Sequence, residues 1–118
     1  MRILIVVVSI LLAALETSTA QAHAFLDHAS PPVGSTVRSA PREVTLSFTL
    51  NIEAASSGVQ VTDSNGARVD QGKAQIGGST MRIGSKALKP GSYRVRWHVL
   101  SVDGHNSEGS FTFTIGGS

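Results

Sequence analysis

The sequence predicts an all-β domain, a β-sandwich or a small barrel. Three observations predict it. Apolar and polar residues alternate with a period of two in one segment after another. Gly, Pro, Ser and Asn gather between those segments. No window carries a helical period of useful length.

The elements follow in chain order. Phe25 and Leu26 form a short first strand ahead of the Ser30-Pro31-Pro32 turn. Val44, Leu46, Phe48 and Leu50 alternate with Glu43, Thr45, Ser47 and Thr49, so one side faces a core and the other solvent. Val59 and Val61 repeat the pattern over a shorter span, Asn65-Gly66 supplies a tight turn, and Val69 lies beyond it. Met81 and Ile83 alternate with Thr80 and Arg82, and Lys89-Pro90-Gly91-Ser92 is a turn. Tyr93, Val95, Trp97 and Val99 alternate with Arg94, Arg96, His98 and Leu100. Phe111, Phe113 and Ile115 alternate with Ser110, Thr112 and Thr114. The expectation is about five to seven short strands. Gly77-Gly78-Ser79 and Gly116-Gly117-Ser118 read as flexible punctuation.

The first residues are of another kind. Ile3–Leu15 is apolar throughout except for Ser9, Arg2 precedes it, and Ala20-Gln21-Ala22 is a small-x-small cleavage signature. This is the pattern of a secretory signal peptide, and the apolar run is too short to cross a bilayer comfortably. Cleavage after Ala22 leaves one domain, residues 23–118, starting at His23. The mature chain is expected to be exported, with no membrane insertion. Arg2 and Glu16 leave together, so the net charge of +2 is unchanged. The basic residues are scattered, without the runs or aromatic interleaving that nucleic acid requires. Cysteine is absent, which excludes disulfides, thiolate metal sites and cysteine nucleophiles.

The four histidines are His23, His28, His98 and His105. Processing would make His23 the first residue. Its α-amine and its ring Nδ1 can then close a six-membered chelate on one metal. A terminal amine, which ordinarily titrates at about pH 8, yields its proton to a metal at neutral pH. Two nitrogens completed by a third, from another imidazole, suit tetragonal Cu(II). Ser101-Val102-Asp103-Gly104-His105 is the second element. In an extended segment Asp103 and His105 point the same way, and Gly104 permits a bend; equally, Asp-Gly is a common hairpin dipeptide. His98 reads as a solvated strand histidine beside Arg94 and Arg96. His28 reads as a loop histidine close to the new terminus. Trp97 and Tyr93 read as core. A Ser-His-Asp hydrolase can be written from Ser101, His105 and Asp103, but no G-x-S-x-G elbow is present.

These segments together resemble the CopC-type copper-binding proteins of the bacterial periplasm. The features that carry the resemblance are His23-Ala24-Phe25-Leu26, Ser30-Pro31-Pro32-Val33-Gly34-Ser35 and Pro41–Phe48. They continue through Ser57–Val61, Asp63-Ser64-Asn65-Gly66, Gly91–Trp97, Ser101–His105 and Gly109–Phe113. The resemblance implies a Greek-key β-sandwich, immunoglobulin- or cupredoxin-like. It implies one Cu(II) per mature chain, held by His23, Asp103 and His105, with no reaction catalysed. Some members add a Glu after the strand equivalent to Leu46–Thr49. This chain has Leu50-Asn51 there and Glu53 nearby. Some members hold Cu(I) in a Met-rich loop, whereas here Met81 stands alone after the leader. A carrier or buffer in copper resistance or homeostasis is the expected role. It would act as a monomer beside a CopD-type inner-membrane transporter. A histidine-brace oxidative enzyme and a metal-free adhesion sandwich are the alternatives.

Overall fold

The computed structural model describes residues 24–117. The leader, its cleavage point, His23 and Ser118 lie outside the described residues. Eight strands form two four-stranded sheets. They are β1 (Leu26–Ser30), β2 (Thr36–Val37), β3 (Glu43–Phe48), β4 (Gly58–Asp63), β5 (Asp70–Gly77), β6 (Thr80–Ser85), β7 (Gly91–Leu100) and β8 (Asn106–Ile115). One sheet has the order β1-β3-β6-β5 and the other β2-β8-β7-β4. The chain changes sheets repeatedly, and β3 pairs with β6 and β4 with β7. Such non-consecutive antiparallel neighbours give a Greek-key sandwich.

The alternation seen in the sequence becomes the core. Val44, Leu46, Phe48, Met81 and Ile83 face inward from one sheet. Val59, Val61, Tyr93, Val95, Trp97, Val99, Phe111, Phe113 and Ile115 face them from the other. Phe48 meets Trp97 edge-on with ring centroids 5.1 Å apart. Tyr93 stacks on Phe113 at 5.5 Å, and its hydroxyl donates to the Lys89 carbonyl at 2.5 Å. This ties the turn before β7 to the core, as a tyrosine corner does. Trp97 sits opposite Gly109 in the β7–β8 register. A Cβ at Gly109 would lie 2.6 Å from the rigid indole, so the ring requires glycine there.

Two strands exceed the sequence expectation. β5 was represented there only by Val69, and β2 not at all. His28, expected in a loop, belongs to β1 opposite Ser47 and pairs with Asp27 at 3.0 Å. Gly78-Ser79, expected as loose punctuation, turns the β5–β6 hairpin and accepts hydrogen bonds from Ile52 and Phe48 N–H.

Asp70 joins the sheets where the β4–β5 hairpin crosses between them. Its buried carboxylate accepts the Val61 N–H at 2.6 Å and both Nε and Nη2 of Arg68, at 2.9 and 2.8 Å. Burial alone would raise its pKa. The Arg68 and Val61 hydrogen bonds outweigh it and hold the carboxyl below its ordinary range. A depressed carboxyl contributes stability that is fully present above the unfolded-state pKa of ~3.9 and is lost as pH falls through the folded value. Asp70→Ala leaves the Val61 N–H unpaired and is expected to cost about 2 kcal/mol at neutral pH. Asp70→Asn keeps an acceptor, costs less, and flattens the acid limb below about pH 4. Urea unfolding at pH 7 and pH 3 checks both; an unaltered acid limb in Asp70→Asn contradicts the assignment.

Candidate metal centre

Asp103 and His105 lie in the turn that joins β7 to β8. The long β7–β8 ladder ends at the Leu100–Asn106 pair, and the chain must reverse within the residues between. Of the alternatives the sequence left open, an extended segment or a bend at Gly104, the structure has the bend. Gly104 makes the bend at φ +92°, a region that side chains with a Cβ rarely adopt. Its N–H donates to the Ser101 carbonyl at 2.9 Å, and the Ser101 N–H donates to the His105 carbonyl at 2.9 Å.

The bend brings the expected pair together. His105 Nδ1 lies 3.3 Å from Asp103 Oδ1, with both side chains partly open to solvent. The Ser101 hydroxyl, the stronger influence, and the His105 ring hold the Asp103 carboxyl below its ordinary range. It is therefore a carboxylate at neutral pH, an available hard oxygen donor. Beneath the pair, Ser101 is almost fully buried, at 1% exposure. Its Oγ contacts Asp103 Oδ1 and lies 3.1 Å from the His105 carbonyl. This geometry does not make a hydrolase, because the hydroxyl addresses the carboxylate and not the imidazole that would have to take its proton.

One segment links the first described residues to this turn. After β3 the chain runs through Thr49–Glu53. Ile52 bridges to Ser101. The Asn51 carbonyl accepts the Val102 N–H at 3.0 Å, and the Glu53 N–H donates to Leu100 at 2.8 Å. The same segment holds Phe25. The Phe25 N–H donates to Thr49 Oγ1 at 3.0 Å, and the Thr49 N–H donates to the Phe25 carbonyl at 2.9 Å. Ala24, the first described residue, is fully buried. Thus one stretch of backbone is hydrogen-bonded both to the start of the domain and to the Asp103–His105 turn.

The histidines His28 and His98 are elsewhere. His28 is occupied with Asp27 on β1. The His98 ring lies over Gly58 on the outer face of the second sheet, with Glu108 opposite in register. Glu53 is tied to the turn through its backbone N–H. Among the described residues no three His, Cys, Asp or Glu side chains form a metal-sized group. Asp103 and His105 therefore bring two metal-capable side chains together in one turn. Met81 is fully buried between the sheets, so its thioether does not face a surface metal.

Residues 26–116 match the family model of the CopC domain. The chain belongs to the CopC family. Relatives of this CopC chain span most of its length. Protein YobA of Escherichia coli K12 is 34% identical over 111 residues, covering 91% of this chain and 90% of the relative. The crystal structure of CopC from Methylosinus trichosporium OB3b superposes with a TM-score of 0.70 at 36% identity, covering 80% of this chain and 94% of that one. PcoC, a methionine-rich copper resistance protein from Escherichia coli, gives a TM-score of 0.69 at 30% identity, covering 80% and 99%. The similarity supports the β-sandwich and the copper-resistance assignment read from the sequence.

Proposed function

We propose that this CopC-family chain is a periplasmic Cu(II) carrier or buffer serving copper resistance or homeostasis. The copper is its cargo. His23, exposed by removal of residues 1–22, gives its α-amine and ring Nδ1. His105 gives a third nitrogen, and Asp103 an oxygen at or near the axial position. The observation that carries this reading is the shared Thr49–Glu53 backbone. It bonds Phe25, two residues after His23, and also the turn that bears the other two donors. Separate parts of the chain thereby converge at one end of the sandwich.

The donor set selects the oxidation state. Amine, imidazole and carboxylate favour Cu(II), whereas Cu(I) prefers thioether or thiolate. The chain has no cysteine and buries Met81. Delivery is expected to follow reduction or transfer to a CopD-type membrane partner. Trp97 and Tyr93 are buried, so neither offers the flat aromatic surface on which an oxidative enzyme would bind a polysaccharide. Among the described residues no helix is long and apolar enough to cross a membrane.

Titration of the processed, monomeric protein with Cu(II), followed by electron paramagnetic resonance, tests the reading. The expected result is one equivalent bound in a nitrogen-dominated tetragonal site, released on reduction under argon. Absence of stoichiometric uptake, or a Cu(I) site as tight as the Cu(II) one, contradicts it.

A further inference from the structure

We propose that Ser101 is the positioning residue of the copper site, acting through its hydroxyl on Asp103 and His105. The inference rests on the Cu(II) site described above and assigns the group that holds two of its donors in place.

Asp103 lies in an exposed turn, where a short carboxylate side chain would otherwise exchange rotamers. Ser101 lies on the rigid side of that turn. Its backbone is fixed by three contacts: its N–H on the His105 carbonyl, its carbonyl on the Gly104 N–H, and its bridge to Ile52. A buried hydroxyl is costly unless its donor and acceptor capacity is used. Here the proton goes to Asp103 Oδ1, a charge-assisted hydrogen bond, and the oxygen accepts the His105 N–H at 3.3 Å. One buried oxygen thus touches both donor residues, one through its side chain and the other through its backbone. Asp103 Oδ1 is engaged by Ser101 and lies 3.3 Å from the His105 ring, so one oxygen of the carboxylate is held from two sides. Partners of this kind set ligand orientation, and their loss lowers metal affinity by ~10–100-fold.

The test compares Ser101→Ala with Ser57→Ala. Ser57 Oγ accepts the Leu100 N–H at 3.0 Å, so Ser57→Ala also removes a hydrogen bond at this end of β7 but does not touch Asp103. Cu(II) affinity is expected to fall ~10–100-fold in Ser101→Ala, with altered copper hyperfine splitting, and to stay at the wild-type value in Ser57→Ala. In the metal-free protein, nitrogen-15 spectra should show the His105 amide and ring signals moving in Ser101→Ala alone. Ser101→Thr, which keeps the hydroxyl, should restore binding to within a few-fold if Ser101→Ala proves too unstable to load. Wild-type affinity and spectrum in Ser101→Ala, or an equal loss in Ser57→Ala, would overturn the assignment of Ser101 while leaving the copper site intact. Failure of the wild-type protein to take up Cu(II) would instead remove the copper site itself, and Ser101's role with it.

Discussion

His105→Ala is expected to lose Cu(II) affinity by more than the ~10–100-fold that removal of an outer partner brings, because in the proposed site it would delete a strong nitrogen donor. The side chain is half exposed at the tip of the β7–β8 turn, so the sandwich has no packing reason to unfold with it. Asp103→Ala should weaken binding less, since an axial oxygen contributes less than an equatorial imidazole. His98→Ala and His28→Ala should leave affinity unchanged. The first ring lies over Gly58 on the outer face of the second sheet, and the second is engaged by Asp27 on β1. Electron paramagnetic resonance on the four variants separates these outcomes. Unchanged hyperfine structure in His105→Ala would contradict the ligand assignment.

The parts of the fold that were legible in the sequence are those in which one face of a strand is buried. In β7 the inward Tyr93, Val95, Trp97 and Val99 alternate strictly with exposed Arg94, Arg96 and His98. Core formation therefore writes itself into the sequence as a period of two. β5 was not legible because little of it is buried beyond Asp70. It is an edge strand carrying exposed Gln71, Lys73 and Gln75, and a register shift between Gln71 and Gln75 breaks the period. β2 spans only Thr36–Val37 and exists through parallel pairing with β8, which no local pattern announces.

For the site, the residue types carried the information. Asp103 and His105 were legible as metal-capable neighbours, and the structure brings them to 3.3 Å. The bend was legible as one alternative, through Gly104 and the Asp-Gly dipeptide; the long-range bonds that fix it to Asn51 and Ile52 were not. Ser101 was visible only as a hydroxyl near a histidine. It is buried and its backbone bridges to Ile52, a residue far away in the chain, and neither fact is written in the local sequence. The same holds for the Thr49–Glu53 segment, whose bonds to Phe25 and Val102 are long-range pairings that no local pattern announces.

The free amino group of His23 is the centre of the account, and a single added residue tests it. A Met placed before His23 turns the α-amine into a peptide nitrogen and abolishes the six-membered chelate. Every core residue from Ala24 onward is kept in the extended protein, so the sandwich is expected to fold as before. Isothermal titration with Cu(II) of the native-terminus and Met-extended proteins, paired with far-ultraviolet circular dichroism, reads both effects. Binding by the native terminus should also weaken as pH falls, because protons compete with the metal for its nitrogen donors. The predicted result is a large fall in affinity for the extended protein with an unchanged dichroism spectrum. Equal affinity in the two forms would take the amine out of the site and contradict the reading of this chain as a carrier whose copper site is created by signal-peptide removal.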